Sequence, residues 1–296
     1  MSPKFKGTFV AIVTPFQEDG SVDEAALKRL VEHCIAGGVD GLVPCGTTGE
    51  KSTLTAAEHQ HVIGFVCETA GGRVKIIAGT GSNDTAHAAM MAKFAKSAGA
   101  DAALSVTPYY NKPTQEGLFR HYSHIAEHAD FPLVVYNVPG RTSLSIAPET
   151  LMRLWSDPRI AGLKDASGNV AYTMQLVAAG LPDGFSILSG DDALTVPLIA
   201  LGAHGVISVA ANEIPAPFAE MTRKALDGDL TGARAIQDKY LELMHTNFIE
   251  TNPLPVKTAL ALMGLIEENF RLPLCPMMPG NKEKLAAILR RLNLIC

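Results

Sequence analysis

The sequence predicts an α/β fold: a (β/α)8 TIM barrel with a C-terminal helical extension. Three observations carry this expectation. Eight short apolar runs recur at intervals of roughly 20–35 residues, as an eight-stranded parallel barrel requires. Longer segments with helical spacing separate them. The runs are continuously apolar rather than alternating, which suits strands covered on both faces. They lie at 7–13, 41–44, 74–78, 102–106, 132–136, 160–163, 185–188 and 205–209.

Between the first two runs, Leu27, Leu30, Val31, Cys34 and Ile35 fall on one helical face, and Gly37-Gly38 stops that helix. Small-residue turns precede strands at 37–40, 97–101 and 201–204, which marks βα units rather than a solenoid repeat. No Gly-x-Gly-x-x-Gly opens the first helix, so a doubly wound open sheet is the weaker rival. Beyond residue 212 the strand signals cease. Helical patterns fill 215–228, 231–249, 254–267 and 281–294, with Pro273, Pro276 and Pro279 stiffening the last connection. The first of these is the eighth barrel helix. The chain therefore divides into a barrel over 1–226 and a helical domain over 227–296, with no linker between them.

Composition narrows the function. Apolar residues make up 47% of the 296, so a sizeable core can form, and charged residues only 19%. A formal net charge of −5 gives no electrostatic case for nucleic acid or an anionic membrane. No run is long enough to span a bilayer, and the first residues carry no apolar leader. The five cysteines are scattered without a Cys-x-x-Cys pair. They fit a reducing cytoplasm and give no metal-ligand spacing.

In such barrels the reactive groups lie at the C-terminal ends of the strands. Lys164 ends the sixth run, where lost hydration favours the free amine that a nucleophile needs. Lys75 begins a strand and His204 precedes one, so both belong to the structural face; Lys112 sits in a polar turn. The second strand runs into Gly46-Thr47-Thr48-Gly49-Glu50, whose glycines let backbone amides face a small carboxylate. Thr55-Ala56-Ala57-Glu58 then offers a capping box. The fourth strand ends in Tyr109-Tyr110 and the fifth in Tyr136, so a hydroxyl relay with the threonines can move protons where imidazoles are lacking. Arg141, in a Pro-Gly turn, suits bidentate carboxylate binding. Asp191 and Asp192 end the seventh strand without the partners a metal needs, and they disfavour a phosphorylated substrate.

Gly46-Thr47-Thr48-Gly49-Glu50, Tyr109-Tyr110-Asn111-Lys112-Pro113, Tyr136-Asn137-Val138-Pro139-Gly140-Arg141-Thr142 and Gly162-Leu163-Lys164-Asp165 resemble the dihydrodipicolinate synthase family, within the pyruvate-dependent class I aldolases. The resemblance covers essentially the whole chain. It implies a cytoplasmic lyase of lysine and diaminopimelate biosynthesis that condenses pyruvate with aspartate 4-semialdehyde. Lys164 would form a Schiff base with the pyruvate ketone, and no external cofactor or metal is needed because the imine is the electron sink. The resemblance further implies that Tyr136 transfers protons beside the imine. Thr47 would link it to Tyr110 of a neighbouring subunit. Thr48 and the Thr47-Thr48 backbone would hold the pyruvate carboxylate, and Arg141 would bind the semialdehyde carboxylate. Gly190 and Ile207 would line the pyruvate pocket, and the assembly would be a homotetramer of two tight dimers.

The family's inhibitor pocket maps onto Lys51, Ser52, Ala56, His59, Asn83, His87 and Tyr109. His87 replaces a glutamate of the lysine-sensitive pattern and Lys51 adds a positive charge, so weak or absent lysine inhibition is expected. Two other functions share parts of this reading. A pyruvate lyase for a sugar acid has the same lysine, but its corresponding turn usually lacks the arginine. A catalytically silent binding barrel would not need Lys164, Tyr136, Thr47 and Arg141 intact.

Overall fold

The computed structural model describes residues 4–296. Eight parallel strands close into a barrel in sequence order: β1 (Gly7–Val10), β2 (Gly41–Leu42), β3 (Lys75–Gly79), β4 (Ala102–Val106), β5 (Leu133–Asn137), β6 (Ile160–Asp165), β7 (Ser186–Ser189) and β8 (Gly205–Ser208), with β8 pairing back to β1. Outside it lie α1 (Glu24–Ala36), α2 (Ala56–Ala70), α3 (Thr85–Ser97), α4 (Gln115–Ala129), α5 (Pro139–Thr142), α6 (Pro148–Leu154), α7 (Val170–Ala178), α8 (Thr195–Ala200) and α9 (Pro215–Leu226). The chain ends in α10 (Leu230–Thr246), α11 (Leu254–Leu262) and α12 (Pro279–Arg291). No helix among the described residues is long and apolar enough to cross a membrane.

The continuous apolar runs feed two cores. Phe9, Val43, Ile77, Leu104, Val134 and Leu188 point inward and fill the barrel, with Phe5 set edge-on to Phe9 beneath them. Their neighbours, among them Val10, Leu42, Ala103 and Val135, point outward and pack against the helices. Alternation with period two thus survives inside an all-apolar run, because both faces are buried.

Local signals set the helix ends. Thr55 caps α2 and Glu58 reaches back to the Thr55 amide, so the expected capping box is present. Gly264, at φ 75°, follows the end of α11, which is why that helix stops short of the expected 267. Pro279 opens α12 at the first helical position. The strands β1 and β2 are shorter than their apolar runs. Past Val10 the chain stays in the barrel rim, but the Val13 amide donates to Asn212 Oδ1 (3.2 Å) instead of to a strand.

Strand β6 is longer than expected and reaches Asp165, so Lys164 lies within the ladder, paired with Tyr136 on one side and Leu188 on the other. The pairing contains one slip. Leu133 faces Ile160 and Val134 faces Gly162, which leaves Ala161 as an extra residue. Ala161 and Lys164 are three apart, yet the slip puts both on the inner face. Gly162 permits it, since a Cβ there would stand 2.6 Å from the Ser186 carbonyl oxygen. Gly162→Ala is expected to cost about 2 kcal/mol, through strain in a close-packed wall. The urea midpoint of unfolding checks this, and an unchanged midpoint would refute it.

Candidate active site

A cleft opens at the C-terminal ends of the strands, with a cavity volume of about 230 Å³. Thr47, Tyr136 and Arg141 line it together with Lys51, Ser52 and Tyr109. Lys164 adjoins it: the residue is only 6% exposed, and Nζ lies 4.2 Å from the centre of the Tyr136 ring. Amine and phenol are brought side by side because their residues are direct partners across β5 and β6.

Gly190 closes over the lysine. A Cβ there would stand 3.1 Å from Lys164 Cε and 2.7 Å from the Ala166 methyl, so a larger residue would crowd the lysine side chain. The Gly190 amide donates to the Asp165 carbonyl oxygen at 2.6 Å. Ile207 is buried in the same inner cluster as Tyr136 and Leu188. Beside Lys164, the Asp165 carboxylate accepts from Asn137 Nδ2 (3.0 Å) and from the Ser167 hydroxyl (2.9 Å). Burial pushes its pKa up, and these donors oppose the shift.

The turn after β2 is held from several sides. Thr48 is buried, and its hydroxyl oxygen accepts from Asn252 Nδ2 at 3.0 Å. The Gly49 carbonyl oxygen accepts from the Thr14 hydroxyl at 2.7 Å. Glu50 has a left-handed backbone, φ 52°, and meets Lys257 at 2.5 Å with both side chains fully buried. A short 3-10 turn, Lys51–Thr53, separates this turn from α2, whose N-terminus is already capped by its own Thr55 and Glu58. The donors this turn presents are therefore its own rather than those of the helix end. Cys45 also lines the cleft, but burial pushes its thiol far up, so it supplies no thiolate nucleophile.

Arg141 projects from α5 and donates from Nη2 to the Asn252 carbonyl oxygen at 3.1 Å. Asn252 thus touches both Thr48 and Arg141, through side chain and backbone respectively. It lies in the connection between α10 and α11, and with Lys257 it was not legible as a site residue. The one available signal is Lys257 itself, a cation inside the apolar run 254–260.

Tyr110 is not brought to this cleft. It is 92% exposed with φ 69°, so its ring projects away from its own barrel. The seven expected effector residues are split. Lys51, Ser52 and Tyr109 line the cleft itself, while Ala56 is exposed at the start of α2. Lys51 Nζ donates to the Gly81 carbonyl oxygen. His59 is buried, with Nε2 donating to the Gly79 carbonyl oxygen at 2.7 Å. Burial, followed by the charges of Lys51 and His87, lowers its pKa to about 4. His87 is half-buried on α3, and Asn83 Nδ2 donates to the Tyr109 carbonyl oxygen at 3.3 Å.

Asp191 and Asp192 are a structural device. Asp192 Oδ2 accepts the amides of Val209 (3.2 Å) and Ala210 (2.8 Å) and so fastens the end of β8, with its pKa raised by burial to about 6. Among the described residues no group of three or more His, Cys, Asp or Glu side chains could hold a metal ion.

Comparison with known proteins places this arrangement. The profile of the "Dihydrodipicolinate synthetase family" matches residues 4–292. The 4-hydroxy-tetrahydrodipicolinate synthase of Persephonella marina is 51% identical over 293 residues, covering 98% of this chain and 99% of its own. That of Thermodesulfovibrio yellowstonii is 53% identical over 291 residues, with 98% and 99% covered. The crystal structure of dihydrodipicolinate synthase from Aquifex aeolicus superposes with a TM-score of 0.96 at 47% identity, over 98% of this chain and 99% of that one. The enzyme of Cyanidioschyzon merolae, solved with lysine bound, gives 0.95 at 37% identity, over 99% and 100%. The chain belongs to the dihydrodipicolinate synthetase family.

Proposed function

We infer that this chain condenses pyruvate with L-aspartate 4-semialdehyde to 4-hydroxy-tetrahydrodipicolinate, the product for which its relatives are named, in lysine and diaminopimelate biosynthesis. The observation that carries the mechanism is the pairing of Lys164 with Tyr136 in the barrel wall, amine against phenol, under Gly190. The Lys164 amine attacks the pyruvate ketone, and water leaves to give a protonated imine. The imine withdraws electrons, so the pyruvate methyl loses a proton and an enamine forms. The enamine carbon attacks the semialdehyde carbonyl, whose oxygen takes up a proton. The substrate's own amino group then adds to the imine carbon and displaces Lys164, closing the ring. Tyr136, beside the amine, is the group placed to carry these protons.

Two anionic groups need holding. The turn bearing Thr47 and Thr48 takes the pyruvate carboxylate, and Arg141 takes that of the semialdehyde. Gly190 and Ile207 shape the pocket around the imine. Tyr110, 92% exposed, enters the cleft of a neighbouring copy in this reading and completes the Thr47–Tyr136 relay there; its exposure supports that role. A homotetramer of tight dimers is the assembly in which we place it. The cytoplasm is the compartment we propose, in keeping with five free cysteines.

Borohydride trapping tests the central step. With pyruvate, the native chain is expected to yield a reduced adduct at Lys164, and Lys164→Ala none, with an unchanged circular dichroism spectrum. An adduct at another lysine would overturn the mechanism. Arg141→Ala should raise KM for the semialdehyde by about tenfold or more, the loss of a charge-assisted pair. KM for pyruvate should move far less in the same steady-state assay. Lysine should inhibit poorly, because Lys51 places positive charge near His59, an imidazole rather than a carboxylate stands at His87, and among the described residues Lys51 bonds to the Gly81 carbonyl oxygen and to no carboxylate. Half-inhibition by lysine in the micromolar range would contradict this.

A further inference from the structure

The turn that presents Thr47 and Thr48 ends in a carboxylate. Glu50 does not reach the cleft wall; its left-handed backbone turns the side chain to Lys257 of α11. One Glu50 oxygen receives the Lys257 ammonium, and the other is buried with no partner. Among the described residues Lys257 is the one cation bonded to this carboxylate. Lys257 is in turn held between two rings, 4.4 Å from the centre of Phe16 and 5.0 Å from that of Phe270. The next cation, Arg271, is bonded to Glu58 and reaches Glu50 only through its charge at longer range.

We propose that Lys257 is a positioning residue for the bound pyruvate carboxylate. It acts by cancelling the charge of Glu50, so the donors of Thr47 and Thr48 meet the anion with no negative charge behind them. Unpaired, a carboxylate buried so close to the turn repels a second one across a low-dielectric wall. The inference rests on the reading that this turn holds the pyruvate carboxylate.

The test uses the full, assembled enzyme and the pyruvate concentration that half-saturates borohydride trapping. Lys257→Met should raise that concentration by roughly tenfold or more, with KM for the semialdehyde changed less than about threefold. Glu50→Gln combined with Lys257→Met removes both charges at similar volume, and should return half-saturation to within about threefold of the native value. Loosening of the turn alone predicts the reverse, since the double variant has lost both anchors. Half-saturation unchanged in Lys257→Met, or still raised in the double variant, overturns the proposal. Where Lys257→Met fails to fold, Glu50→Gln decides: a lone cation behind the turn leaves half-saturation unchanged or lowers it, and a rise overturns the proposal. Failure of the native chain to trap pyruvate at Lys164 would instead sink the reading of the site. Normal native trapping with an unaffected Lys257→Met sinks only this inference.

Discussion

A strand shows its side chains alternately to its two faces, and in β6 that alternation is interrupted once. Ala161 is the extra residue, Gly162 makes room for it, and Lys164 consequently faces the barrel interior beside Tyr136. The rest of the site depends on this parity. With regular pairing from Leu133 and Ile160 onward, the amine would point at the helices, away from the cleft that Tyr136 and Arg141 line. The lysine's reach, the bare Gly190 above it and the neighbouring phenol all take their meaning from that one residue of register.

The second constraint comes from the far end of the chain. The C-terminal helices do more than cover the barrel. Asn252 bonds to Thr48 and to Arg141, and Lys257 pairs with Glu50, so both groups to which we assign anion binding are braced by residues about two hundred or one hundred positions away. A buried ion pair is a weak source of net stability, because desolvating two charges consumes much of their attraction. Its specificity is another matter. Glu50 and Lys257 are each costly to bury alone, so they hold the turn and α11 in one relative placement. Arg271, which reaches Glu58 and the Gly20 and Thr53 carbonyl oxygens, adds a second fastening on the same side.

The order and number of strands were legible because each apolar run has the length and continuity that two-sided burial demands. Lys164 was legible as the candidate nucleophile because it stands where such a run ends, and the motifs around Thr47, Tyr136 and Arg141 carried the family resemblance. Strand ends were read less well. The run 7–13 stays buried beyond β1 through a side-chain bond to Asn212, and apolarity alone cannot separate that from ladder pairing. For want of partners Asp191 and Asp192 do not read as metal ligands, but the structural use of Asp192, which accepts the amides that follow β8, was not legible.

Local chemistry, then, is what the chain carried in its order: where strands run, where caps and glycines stop helices, and which residue types can form an imine or bind a carboxylate. Three things came only from the folded barrel. The slip at Ala161 depends on how β5 and β6 pair, which no single run specifies. The partners of Glu50 and Thr48 lie on an extension brought over the barrel mouth by packing. Tyr110, one residue from the cleft-lining Tyr109, is turned outward by a left-handed backbone that its own side chain does not announce. Each is a long-range or backbone choice made by the sum of many contacts, whereas a sequence motif records only its own neighbours.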